Sequence, residues 1–261
     1  MHNIVLYEKY IDLKRLKFIS DNLKKHGVPQ GGKILDVGCG NGNISIYLGM
    51  QGYQVTGIDI SEKTILKAKS LNPLPNVDFK VSSAEELGKT NETFDAIICS
   101  EVLEHLRDPG MILSHVGRLL TYNGILIVTV PNGRGPRELL VTRPVQYLKK
   151  KNNIIWKALG KVKSLLGYNG YSAQTDADDL EHLQFFTIPK LRSLADQNLF
   201  KIVEIGRSNF IEDVFPVSLL SRRIKPLQKW DCQIADRLPA ALSGGFNMVW
   251  KKSVKVIQVA S

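Results

Sequence analysis

The segment Ile34-Leu35-Asp36-Val37-Gly38-Cys39-Gly40-Asn41-Gly42 places one acid and three glycines within seven positions. Glycines in such a run let the backbone approach a bound molecule closely, because no Cβ intrudes. The spacing is G-x-G-x-G, and position 43 is Asn, so it departs from the G-x-G-x-x-G of dinucleotide sites. Asp36, just ahead of the loop, repels a phosphate and suits a cationic group such as an amine. A second acid, Asp59 in Gly57-Ile58-Asp59-Ile60-Ser61, follows Gly38 by 21 residues. A carboxylate there can accept two hydrogen bonds from ribose hydroxyls, and Ser61 is the better candidate for capping the helix that follows. The third group is Glu101-Val102-Leu103-Glu104-His105. In a helical turn Glu101, Glu104 and His105 stand at i, i+3 and i+4 and share one face. Two carboxylates and an imidazole can bind Mg²⁺, Mn²⁺ or Zn²⁺, with His182 as a fourth ligand. Without a metal, His105 is the nearest general base for a hydroxyl nucleophile, or it caps a turn, and His182 lines the acceptor pocket. His105 and His182 are therefore the candidate catalytic residues, and whether the group holds a metal stays open.

These residues need elements to place them. Apolar spacing predicts a helix within 7–26, strands at Lys33–Val37, Gln54–Ile58, Val77–Val81, Phe94–Cys99 and Gly124–Val130, and helices at Ile44–Met50, Ser61–Ser70 and Pro109–Leu120. Strand and helix alternate in short units, the pattern of a doubly wound α/β fold with a parallel sheet. Gly124–Val130 (GILIVTV) is so apolar that it belongs at the centre of that sheet. After an interruption the pattern returns with a helix at Ile188–Gln197, a strand at Phe200–Ile205 and strand-like stretches at Phe246–Lys251 and Val254–Val259.

In order, ILDVGCGNG, GIDIS, Ser83-Ala84-Glu85, FDAIICSEVLEHL and LLTYNGILIVTVPN resemble the successive motifs of class I S-adenosylmethionine-dependent methyltransferases, across residues 33–132 and more weakly through 182–205. The subgroup resembled is that of small-molecule and quinone-pathway O-methyltransferases. The resemblance implies a Rossmann-like, seven-stranded, mostly parallel sheet whose last strand is antiparallel, with an inserted helical lid. It implies S-adenosyl-L-methionine as cofactor. Gly38, Gly40 and Gly42 would line its methionine part, with Asp36 near its amino group. Asp59 would hold the ribose hydroxyls, Ile60 would lie on the adenine, and Ala84 and Glu85 would meet the adenine edge. Many relatives carry Asp where this chain has Ser83. Ser100 and Glu101 would lie near the sulfonium. The E-x-x-E-H group with His182 also resembles the metal site of plant small-RNA 2′-O-methyltransferases.

The 261 residues suffice for one such domain with an elaboration. The net charge of +10 is uneven. Residues 1–132 are balanced, whereas 133–167 hold nine Lys/Arg against one Asp/Glu. The reading is a cofactor-binding half at 1–132, a basic insertion at 133–187 acting as a substrate lid, and a completion of the sheet at 188–261. Within the insertion Leu148, Ile155, Leu159, Val162 and Leu166 fall on one helical face among lysines, beside Trp156. A second basic stretch, irregular in patterning over Phe215–Trp230, is placed as helical within 210–243. Two such basic and apolar stretches suit an anionic, partly apolar target: a small-molecule or lipid-linked acceptor, or peripheral contact with an anionic membrane. Nucleic acid is less favoured, because no alternation of aromatic and basic residues suggests base stacking. The three cysteines are scattered, no apolar run reaches the ~20 residues needed to span a bilayer, and the first residues lack a signal-peptide core. The expectation is a cytoplasmic enzyme, with a membrane-peripheral variant of it open. The expected activity is O-methylation of a small or lipid-associated acceptor. The alternatives are methylation of RNA, metal-assisted at a 2′-hydroxyl, and a cofactor-binding scaffold without catalysis.

Overall fold

The computed structural model describes residues 7, 9–150, 182–214 and 217–253 of the chain. Helix α1 (Tyr10–Lys25) is followed by β1 (Lys33–Val37), α2 (Asn43–Met50), β2 (Gln54–Asp59), α3 (Glu62–Leu71), β3 (Val77–Val81), α4 (Ala84–Leu87), β4 (Phe94–Ser100), α5 (Pro109–Leu119) and β5 (Leu120–Pro131). After α6 (Arg143–Lys150) the regular pattern resumes with α7 (Ile188–Gln197), β6 (Phe200–Arg207), α8 (Val217–Arg223), α9 (Lys225–Arg237) and β7 (Gly245–Lys252). The seven strands form one sheet in the order β3-β2-β1-β4-β5-β7-β6. β7 runs antiparallel to both β5 and β6, and the other strand pairs are parallel. This is the doubly wound architecture expected, with Phe246–Lys251 inside the antiparallel strand.

Both faces of the sheet are covered, which explains the unbroken apolar runs. Leu126, Val128 and Val130 of β5 face a core shared with α5 and α7, through Leu113, Val116, Leu191 and Ala195. Ile125 and Ile127 face the opposite core with Leu16, Ile19 and Leu23 of α1 and Ile46 and Leu48 of α2. β5 lies between β4 and β7, as its composition demands, and begins four residues earlier than its apolar run because α5 passes straight into it. Ser61 caps α3, its Oγ accepting from the Thr64 amide at 3.3 Å.

The basic stretch at Phe215–Trp230, irregular in patterning and placed as helical within 210–243, contains α8 and the first half of α9. The buried face of α9 is Gln228, Asp231, Cys232 and Ala235, two of the four polar. Asp231 is buried there because it accepts from the Phe210 and Ile211 amides at 2.7 and 2.9 Å. Pro226 in its first turn fixes the start of the helix. Residues 151–181 of the insertion, with most of its expected amphipathic face, and the strand-like Val254–Val259 lie outside the described residues.

Two features tie the glycine loop to the layers beneath it. Gly42, with φ +80°, is the residue before α2, and a Cβ there would strike the Phe79 ring and crowd Ala68. Asp36 of β1 is 1% exposed and accepts from Ser45 Oγ of α2 at 2.6 Å. Burial pushes its pKa up to about 7; the Ser45 hydrogen bond opposes the shift and the nearby Asp59 charge adds to it.

Gly42→Ala is expected to lower stability by about 1–3 kcal/mol, the usual cost of overpacking a core, with left-handed strain added; urea unfolding measures it. Asp36 gives a pH dependence of definite sign. The folded state holds this proton more tightly than the unfolded chain does, so stability falls as pH rises from about 4 to about 7. Asp36→Asn removes that dependence. In urea unfolding the stability of wild type relative to the variant should drop by roughly 2–4 kcal/mol between about pH 4 and pH 8, at 1.36 kcal/mol per unit.

Candidate active site

At the carboxyl ends of β1, β2 and β4 the described residues enclose a cavity of about 450 Å³. That size suits a small-molecule or cofactor site, and the edge is where open α/β sheets bind ligands. Gly38 and Gly40 form one wall and Asp59 and Ile60 the next. Ala84, Glu85, Ser100 and Glu101 also line it, and so does His105. Asp36, Gly42 and His182 do not. Asp36 is turned into the β1–α2 junction and Gly42 onto Phe79, so both shape the loop from behind.

Asp59 has one more role than its position in the sequence suggests. Its Oδ2 accepts from the Gly40 amide at 3.1 Å and its Oδ1 from the Ser61 amide at 2.9 Å. It therefore staples the glycine loop to β2, and each oxygen keeps a second lone pair for a ligand hydroxyl. Ile60 beside it is 81% exposed, an apolar side chain held at the mouth of the cavity. Ser83 precedes the two residues expected at the adenine edge. Its Oγ accepts from the Glu86 amide at 3.1 Å and the Glu86 carboxylate accepts from the Ser83 amide at 3.1 Å, a capping box that starts α4 at Ala84.

A shared face for Glu101, Glu104 and His105 would need a helical turn over 101–105, and the structure does not form one. Only Leu103–His105 form a turn, of 3-10 type, and Glu101 precedes it in the left-handed region with φ +58°. The Glu101 amide donates to Thr129 O at 2.9 Å and its Oε1 accepts from Thr129 Oγ1 at 2.9 Å. Val102 then packs on the glycine loop, where a Cβ on Gly38 would meet its Cγ2 at 2.5 Å.

A residue that sequence reasoning missed completes this network. Arg15 of α1 is buried and lies 3.6 Å from Glu101 and 3.7 Å from Asp12. Burial works against its charge, but Glu101 and Asp12 hold its pKa above the ordinary value. The signal available in the sequence was the Asp12–Arg15 pair at i, i+3. Nothing there showed that the helix turns the pair inward.

Two further groups converge on His105. Glu104, His105 and His182 can each place a ligand atom within 4.8 Å of the others. Glu104 is 1% exposed, and beyond its own backbone amide neither carboxylate oxygen has a hydrogen-bond partner among the described residues. Burial, with the Glu101 charge adding to it, drives its pKa well above the carboxylate range. The rings of His105 and His182 meet edge to face with centroids 5.2 Å apart. An orphaned buried carboxylate beside two imidazoles fits a divalent cation on donor chemistry, and Glu101 is not part of that set.

Comparison with known proteins agrees with this architecture. The model of a methyltransferase domain matches residues 7–205. The chain is 37% identical over 139 residues to the ubiquinone biosynthesis O-methyltransferase of Xanthomonas axonopodis pv. citri (strain 306), covering 52% of this chain and 56% of that protein. It is 34% identical over 180 residues to the mitochondrial ubiquinone biosynthesis O-methyltransferase of Homo sapiens, covering 62% and 49%. The match thus spans about half the length of these curated relatives. Among solved structures, a putative sarcosine dimethylglycine methyltransferase from Galdieria sulphuraria superposes with a TM-score of 0.58 at 16% identity, covering 96% of this chain and 92% of that one. Magnesium protoporphyrin IX methyltransferase from Synechocystis PCC 6803 superposes with a TM-score of 0.51 at 18% identity, covering 93% and 82%. These two share the fold. With the family model spanning most of the chain, through the glycine loop and Asp59, and with the sheet in the order 3-2-1-4-5-7-6, this chain belongs to the S-adenosylmethionine-dependent methyltransferases.

Proposed function

We propose that the chain methylates a hydroxyl on a small, partly apolar acceptor. The observation that carries this reading is that His105 lines the same cavity as Gly38, Gly40 and Asp59, so a base stands beside the expected methyl donor. Asp59 would hold the ribose hydroxyls, Ile60 would cover the adenine, and the Gly38–Gly40 wall would take the methionine part. The bound cofactor supplies an already activated methyl group. The chain's own contribution is to hold an acceptor oxygen in line at about 3 Å, which can be worth on the order of 7–11 kcal/mol, and to take its proton on the His105 imidazole. The named activity of the ubiquinone-pathway relatives supports an aromatic hydroxyl acceptor.

Incubating the full chain with methyl-labelled S-adenosylmethionine and cell extract, then separating lipid, glycan, RNA and soluble fractions, tests this. Label is expected in lipid-soluble or small phenolic products, and His105→Ala should lower its rate about 10²–10⁴-fold. Label confined to RNA, or an unimpaired variant, contradicts the reading.

A second reading, that a divalent cation at Glu104, His105 and His182 assists by binding the acceptor oxygen, is favoured by the orphaned Glu104 carboxylate. Equilibrium dialysis against Zn²⁺ or Mn²⁺ discriminates. Glu104→Gln should lose the bound ion, and Glu101→Gln, which the structure turns toward Thr129, should retain it. Equal loss in both would restore the shared-face arrangement, and no bound ion in the wild type would remove the cation.

A further inference from the structure

Glu138 is a buried carboxylate that the cofactor cavity does not use. It is 1% exposed and opens the single π-helical turn Glu138–Thr142 ahead of α6. Such turns re-aim a side chain and recur at functional sites. Its Oε1 lies 3.3 Å from His182 Nδ1 and accepts from Thr142 Oγ1 at 3.1 Å. Its Oε2 has no partner among the described residues. Burying a carboxylate is costly unless it is paired, and here the pairing is with one hydroxyl and one imidazole.

The backbone around His182 is fixed independently of that contact. The Leu183 and Gln184 amides both donate to Glu104 O, at 2.8 and 2.9 Å. Gln146 Nε2 donates to His182 O at 3.2 Å, and Gln184 Nε2 reaches Arg107 O at 3.1 Å. With the main chain clamped onto the 103–105 turn, the open variable is the imidazole itself, its rotation and the nitrogen that carries the proton. Glu138 faces it at Nδ1 and His105 meets it edge to face. An acceptor at Nδ1 selects the Nδ1–H tautomer and leaves the lone pair on Nε2.

We propose that Glu138 is the positioning residue for His182. Locked by Thr142, it holds the imidazole as the Nδ1–H tautomer, so that Nε2 is the nitrogen available to the Glu104–His105 group. This rests on reading that group as the working end of the acceptor site, and it serves a base and a metal ligand equally, since both need an unprotonated Nε2.

The test is a long-range ¹H–¹⁵N correlation spectrum of the full chain, labelled at its five histidines and recorded in alkaline buffer, with His182 assigned by loss in His182→Gln. Wild type is expected to show His182 predominantly as Nδ1–H. Glu138→Leu should shift it to predominantly Nε2–H, the form free imidazole favours, and Glu138→Gln, which keeps a carbonyl acceptor, should restore Nδ1–H. Calorimetric titration with S-adenosylhomocysteine runs in parallel, and equal affinity in all three proteins shows that the fold is intact. Nε2–H in the wild type overturns the proposal, as does Nδ1–H persisting in Glu138→Leu. If the leucine variant fails to fold, the wild-type tautomer and a lowered Nδ1–H population in Glu138→Asp, one methylene shorter, decide. Failure of the wild type to bind S-adenosylhomocysteine would contradict the functional reading and leave the tautomer result standing.

Discussion

The site depends on how the chain leaves β4. Glu101 adopts a left-handed backbone that a non-glycine residue pays to occupy, and two partners from distant sequence hold it there. Thr129 of β5 engages both its amide and its carboxylate, and Arg15 of α1 faces the same carboxylate. From this one bend follow the packing of Val102 against Gly38, the inward Glu104 and the presence of His105 in the cavity wall. A helical continuation after Ser100 would have scattered all three.

Acids in this half of the fold are held in a low-dielectric place. Asp36, Glu104 and Asp12 are each pushed toward the neutral form by burial, and the buried Arg15 cation acts on Asp12 and Glu104. Binding a cationic ligand group near such acids returns part of the desolvation cost. The same arrangement costs stability as pH rises while no such group is present. The site and the stability of the fold are thus coupled through the same carboxylates, and the insertion joins them by pinning Leu183 and Gln184 to the Glu104 carbonyl.

Much of this was legible in the sequence because it is local. The alternation of apolar strands and helices, the cap at Ser61, the glycine loop and the acid at the end of β2 each follow from neighbouring residues, and a seven-stranded sheet with an antiparallel last strand follows from the resemblance they carry. What was not legible is what depends on partners far along the chain. A helical face for Glu101 was one reading because spacing alone cannot reveal that Thr129 and Arg15 hold it elsewhere. Asp36 and Gly42 are also held from behind by Ser45 and Phe79, contacts that their local sequence does not show. The bounds of α8 and α9 within the helical stretch placed at 210–243 were not legible, because Asp231 is buried through amides of the distant 210–211 loop.

The central claim is that this cavity accepts an adenosyl ligand with its ribose on Asp59 and its sulfur facing the β4 bend. A crystal structure with S-adenosylhomocysteine tests it most directly. The account predicts both ribose hydroxyls within hydrogen-bond distance of the Asp59 carboxylate, adenine against Ile60, and the sulfur on the side of Ser100 and His105. A nucleoside bound in another orientation, or a cavity that excludes it, would contradict the account.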